Sequence, residues 1–137
     1  MGNLTKYFKR KIQDYLFGLV SYTPPTNYYV GLLTSYNSAT DSYTEGTYTG
    51  YSRVVVPNNK TSFNISTDTA VAEITNATAI TFPMKEGGAD VTVTHIGYFD
   101  ALTGGNLLFV GKWDVIVQNY DRVIIEANGL SIKVLNG

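Results

Sequence analysis

Residues 91–111, VTVTHIGYFDALTGGNLLFVG, constrain the fold of this chain more than any other stretch. Apolar and β-branched residues run up to Asp100, Gly104-Gly105 supply a turn, and a second apolar run follows. That pattern is two strands joined in a hairpin. Apart from the Tyr98 phenol, its only ionisable side chains are His95 and Asp100. Such a hairpin is suited to packing, not to chemistry.

The rest of the chain repeats the message. Strands are expected at 27–34, 51–56, 70–75, 79–82, 91–99, 106–112, 113–117, 122–127 and 130–135, with Pro57 and Pro83 closing two of them. Strand after strand, with a turn signal roughly every ten residues, points to an all-β, antiparallel, jelly-roll-like sandwich. Asn128-Gly129 carries a type I′ turn signal. It predicts a final hairpin with Ala127 opposite Leu130, Ile125 opposite Ile132 and Val123 opposite Val134, all on the core face. Ile124 with Lys133 and Glu126 with Ser131 fall on the other face. Residues 35–50, SYNSATDSYTEGTYTG, lack apolar periodicity and read as a long polar loop.

One helix precedes the strands. Leu4, Phe8, Ile12, Tyr15 and Leu19 share one face of a helix expected over residues 3–17, with Asn3 as its cap and Gly18 as its stop. A helix this short is marginal alone, so its apolar stripe needs a cover. Either the chain's own sheet or other copies can supply it. Tyr22-Thr23-Pro24-Pro25-Thr26 then reads as a stiff strut. The expected organisation is a tethering or oligomerising segment over 1–22 and a β-sandwich over 23–137.

Charge narrows the class of partner. Only 15% of the residues are charged, while eleven are tyrosine. Charged side chains are depleted at interface cores and tyrosine is enriched there, so either this surface suits burial against neighbours or the tyrosines simply suit strands. Tyr36, Tyr43 and Tyr48 in the polar loop are candidate contacts, since tyrosine offers contact area at low entropic cost. The net charge of −1 gives no nucleic-acid footprint. No apolar run approaches the roughly 20 residues needed to cross a membrane.

Catalytic patterns are missing. The chain has no cysteine and one histidine, so thiolate chemistry and a histidine-rich metal site are out of reach. Alternation over 91–99 places Val91, Val93, His95, Gly97 and Phe99 on one side, where a lone histidine is a structural residue. The carboxylates are scattered, no G-x-S-x-G elbow exists, and Gly104-Gly105 leads into a strand and not a helix. No catalytic residue, metal ligand or cofactor is expected. Trp113 with Tyr120 could form part of a sugar platform.

Five pieces in order resemble a known family. They are Leu16–Gly18 with Ser21-Tyr22-Thr23-Pro24-Pro25, then Tyr29-Val30-Gly31-Leu32-Leu33-Thr34, then Gly50-Tyr51-Ser52-Arg53-Val54. Ala79-Ile80-Thr81-Phe82-Pro83 follows, and then Val93–Asp100 running through Thr103–Phe109. Together they resemble small tailed-bacteriophage virion proteins, usually labelled phage tail fibre proteins. The resemblance implies a virion component on the tail, the baseplate or the capsid and carries over no catalytic residue; the expected role is a non-enzymatic structural protein, with a tail fibre or baseplate type placed first. It would assemble with other virion proteins through the helix and the sandwich surface. A homo-oligomer, drawn as a trimer, is expected. The alternatives are a capsid decoration or head fibre protein, or a carbohydrate-binding module that recognises a host surface glycan.

Overall fold

Alternating apolar residues become strands here, and their pairing order fixes the surfaces of the molecule. The structure is a computed structural model that describes residues 2–65 and 72–135, without the side chains of Ala72, Val134 and Leu135. In chain order the elements are β1 (Gly2–Leu4), α1 (Lys6–Leu16), β2 (Asn27–Asn37), β3 (Ser42–Glu45) and β4 (Val54–Pro57). Next come β5 (Phe63–Ile65), β6 (Ala72–Asn76), β7 (Ile80–Thr81) and β8 (Val91–Phe99). The chain closes with β9 (Leu107–Val117), β10 (Ile124–Ile125) and β11 (Ser131–Leu135). The fold is mostly β with one short helix near the N-terminus.

One sheet runs in the order β3-β2-β8-β9-β1-β11-β6-β5, with β4 paired to β2, while β7 and β10 form a separate ribbon. All pairs are antiparallel except β1 with β11. The sheet is strongly curled. On a flat sheet the six strand spacings from β2 to β5 would span roughly 29 Å. Instead the rings of Tyr28 on β2 and Phe63 on β5 lie 6.0 Å apart. The curl encloses the main core, which includes Val30, Leu32, Ile96, Tyr98, Phe109, Ile125 and Ile132. A smaller cluster of Leu33, Phe99, Leu107 and Val110 lies apart from it, with Tyr29 and Tyr36 against it.

The β8–β9 hairpin forms as its sequence requires, with Gly104 and Gly105 at φ of 62° and 71°. The separate strands expected at 106–112 and 113–117 are one strand, β9. Its register shifts against β8 between Val93 and His95. The shift corrects the expected shared face. Val93 joins the main core with Ile96 and Tyr98, while Phe99 belongs to the second cluster and His95 sits against Tyr36.

Other expectations change for local reasons. Asn3 is a strand residue, and Thr5 caps α1 by accepting from the Phe8 N–H at 3.2 Å. The 35–50 segment is not a continuous loop: β2 runs on to Asn37 and pairs with β3. β5 arises in a polar stretch for which no strand is expected. Residues 70 and 71 of one expected strand lie outside the described residues; β6 takes the rest.

The final hairpin does not form. β10 pairs with β7, and β11 pairs with β6 and β1. The turn itself survives, with Asn128 at φ 63° and the Gly129 N–H on the Glu126 carbonyl at 2.8 Å. Buried Asn76 redirects it. Its Nδ2 donates to the carbonyls of Thr78 (2.9 Å) and Glu126 (2.8 Å), and its Oδ1 accepts from the Leu130 N–H (3.0 Å).

Candidate interaction surfaces

The N-terminal helix is anchored at one end and bare at the other. Its first turn holds two tethers. Thr5 donates through Oγ1 to the Leu107 carbonyl (2.8 Å) and through N–H to the Leu108 carbonyl (2.9 Å). Asp41, in the β2–β3 turn, accepts from the Lys6 N–H (3.1 Å), the Tyr7 N–H (2.8 Å) and the Tyr36 hydroxyl (2.8 Å). Burial pushes the Asp41 carboxyl up, but these donors outweigh it and hold the group below its ordinary value.

The expected helix stripe therefore divides. Leu4 pairs with Phe109 and is buried, and Phe8 is buried against Phe109 and Tyr22. Ile12 is half-buried against the same core. Tyr15 is exposed, though its ring meets Tyr22 at 6.5 Å. Beyond it Leu16, Phe17 and Leu19 are 69%, 77% and 73% exposed, with Val20 beside them. Leu16 and Phe17 were not marked by helical spacing. The signal was the run itself: LFGLV puts four apolar residues into five positions, more than one helix face can bury.

The loop tyrosines serve internal contacts. Tyr36 bonds Asp41 and stands 5.9 Å from the His95 ring, edge on. Tyr43 packs edge on against Phe99 at 5.4 Å and is still partly exposed. Tyr48 donates to the Pro83 carbonyl at 2.6 Å and packs on Tyr51. Burial raises the Tyr48 hydroxyl above its ordinary value.

Two clefts bear on recognition. Trp113 is half-buried and lines one cleft with Asp114, Asp121, Arg122 and Ile124, among others. Tyr120 does not line it; it stands 74% exposed in the neighbouring turn at φ 67°. The second cleft, about 460 Å³, is lined by Asn3, Lys6, Lys9, Tyr36, His95 and Lys112, with Leu4, Ser38 and Val110. His95 Nδ1 lies 2.8 Å from Thr94 Oγ1. Burial lowers its pKa, Lys112 lowers it further, and Asp114 opposes both. Nothing in the sequence marks this cleft, since Lys6 and Lys9 lie on α1, His95 on β8 and Lys112 on β9. Among the described residues no group of three or more His, Asp or Glu side chains could hold a metal ion. Nor is any helix there long and apolar enough to cross a membrane.

A family model described as Podophage GP4 fiber I protein gp80 matches residues 3–133. No curated protein matches the chain. The match runs from within β1 through α1 and the curled sheet to the middle of β11. The chain therefore belongs to the Podophage GP4 fiber I protein gp80 family, a phage fibre family, with a structural role in the virion.

Proposed function

We propose that this chain is a non-enzymatic tail fibre or baseplate-type subunit that assembles through its N-terminal segment, residues 1–22, and its sheet surface. One observation carries the reading. Four apolar residues, Leu16, Phe17, Leu19 and Val20, face solvent at the end of a helix whose first turn is fixed by Thr5 and Asp41. Copies of the same chain are the proposed cover. A rigid anchor presents the strip in one geometry, and closed cyclic symmetry is the usual outcome for a repeated patch. A trimer is the expected ring, seated on other virion proteins after assembly in the host cytoplasm. The β part, read as a jelly-roll-like sandwich over 23–137, projects from that seat. The approach of β5 to β2 supports two facing layers.

Immunogold electron microscopy of virions, with an antibody to this chain, tests the location. Label on the tail is expected. Label spread over the capsid would replace the reading with a decoration or head fibre protein.

The Trp113 cleft favours a second reading, a host glycan bound by Trp113, with Tyr120 in the neighbouring turn as a further contact. An aromatic wall beside Asp121 and Arg122 suits a sugar's apolar face and hydroxyls. A glycan array without signal for the purified chain would remove it.

A further inference from the structure

We infer that the cleft between α1, β8 and β9 is an anion site, built by Lys6, Lys9, Lys112 and His95 for the acidic group of a surface saccharide. It rests on the host-recognition reading but moves the contact away from Trp113, and it leaves the assembly reading untouched.

The cleft's charge is one-sided. Lys6 and Lys9 occupy the start of α1, where the helix dipole disfavours cations and favours acids. That first turn carries no acidic residue. Lys112 lies directly across the strands from His95, a pairing of basic groups that packing does not require. The nine lining residues include no carboxylate. Two acids stand nearby. Asp41 uses both oxygens on the Lys6 and Tyr7 N–H groups and the Tyr36 hydroxyl. Asp114 meets Lys112 Nζ at 3.1 Å, but both side chains are well exposed, and such a pair is weak. Lys6 Nζ donates to the Ala39 carbonyl at 2.9 Å, which sets its position, and the Asp41 carboxylate attracts it, so Lys9 and Lys112 are the freer charges. A bound anion would offset the repulsion among the three lysines, with the His95 ring beside them as a hydrogen-bonding group.

The rest of the lining suggests what carries the anion. Asn3 and Ser38 offer an amide and a hydroxyl, and the Tyr36 ring forms part of the wall. Polar hydrogen-bonding groups beside an aromatic side chain suit a sugar. A duplex nucleic acid would need a wider basic face than a chain of net charge −1 presents.

The test is titration calorimetry of the intact chain. The probes are carboxylated, sulfated and phosphorylated oligosaccharides, neutral oligosaccharides of the same length, inorganic phosphate and poly-glutamate. An acidic oligosaccharide is expected to bind while its neutral counterpart does not. Lys9→Gln and Lys112→Gln should each weaken binding at least about fivefold, with unchanged melting temperatures. Lys60→Gln, outside the cleft, should not weaken it. Inorganic phosphate or poly-glutamate binding as tightly as every saccharide would overturn the saccharide assignment. Loss of binding in Trp113→Ala, with the lysine variants intact, would overturn the cleft and keep the host-glycan reading. No binding to any saccharide would overturn both.

Discussion

The Arg53 guanidinium lies 3.5 Å from the centre of the Phe99 ring while forking onto Glu45 through Nε (3.0 Å) and Nη2 (2.9 Å). Its Nη1 also donates to the carbonyls of Ala101 (2.7 Å) and Gly104 (2.8 Å). One side chain thus joins β3, the β8–β9 turn and the second apolar cluster. Lysine has neither the fork nor the flat face. Arg53→Lys should lower stability by about 3 kcal/mol, measured by urea unfolding. A change below about 0.5 kcal/mol would mean the clamp is incidental.

Gly31 makes room for that clamp. A Cβ there would stand 3.0 Å from Glu45 Oε2 and Tyr51 Oη, and 3.1 Å from the Phe99 ring. Gly31→Ala should cost about 1–3 kcal/mol by overpacking. Gly87→Ala meets no atom within 4 Å and should leave the unfolding midpoint where it is. Equal effects from the two would refute the close packing at Gly31.

Asp41 ties the fold to pH. Its folded pKa lies below its ordinary 3.8. A depressed carboxylate adds stability that is present above the unfolded pKa and lost as pH falls through the folded one. Hydrogen exchange at the Lys6 and Tyr7 amides should therefore accelerate as pH drops below about 4, beyond the intrinsic change. Asp41→Asn should show weaker protection already at neutral pH and little further acid dependence.

Asn76→Ala should destabilise by about 3 kcal/mol, because it strips partners from Glu126, Thr78 and Leu130 at a buried site. Asn128→Pro should also unfold the corner. It removes a left-handed φ and the Asn128 N–H bond to the Asn76 carbonyl (2.7 Å). Thermal melts of both variants check this.

What the sequence revealed tracks the range of the interactions. The β8–β9 hairpin and α1 were legible because Gly104-Gly105 and the Phe8–Ile12 spacing act locally. β1 was not: three residues between β9 and β11 are strand only because distant partners flank them. The 122–135 hairpin failed for the same reason. Its turn chemistry was right, but Asn76 sends the two arms to different neighbours. The face of His95 was lost to a register shift that alternation does not encode. Of the candidate interaction residues, Leu19 lies on the bare strip and Tyr15 borders it against Tyr22, whereas Leu4 and Phe8 are spent in the core.

Native mass spectrometry of the full chain at micromolar concentration, beside a Phe17→Ser/Leu19→Ser variant, addresses the assembly claim most directly. Both side chains are exposed, so the variant should fold with an unchanged melt. A closed oligomer is expected for the parent chain and a monomer for the variant. A parent chain that stays monomeric, or a variant that assembles as the parent does, would contradict it.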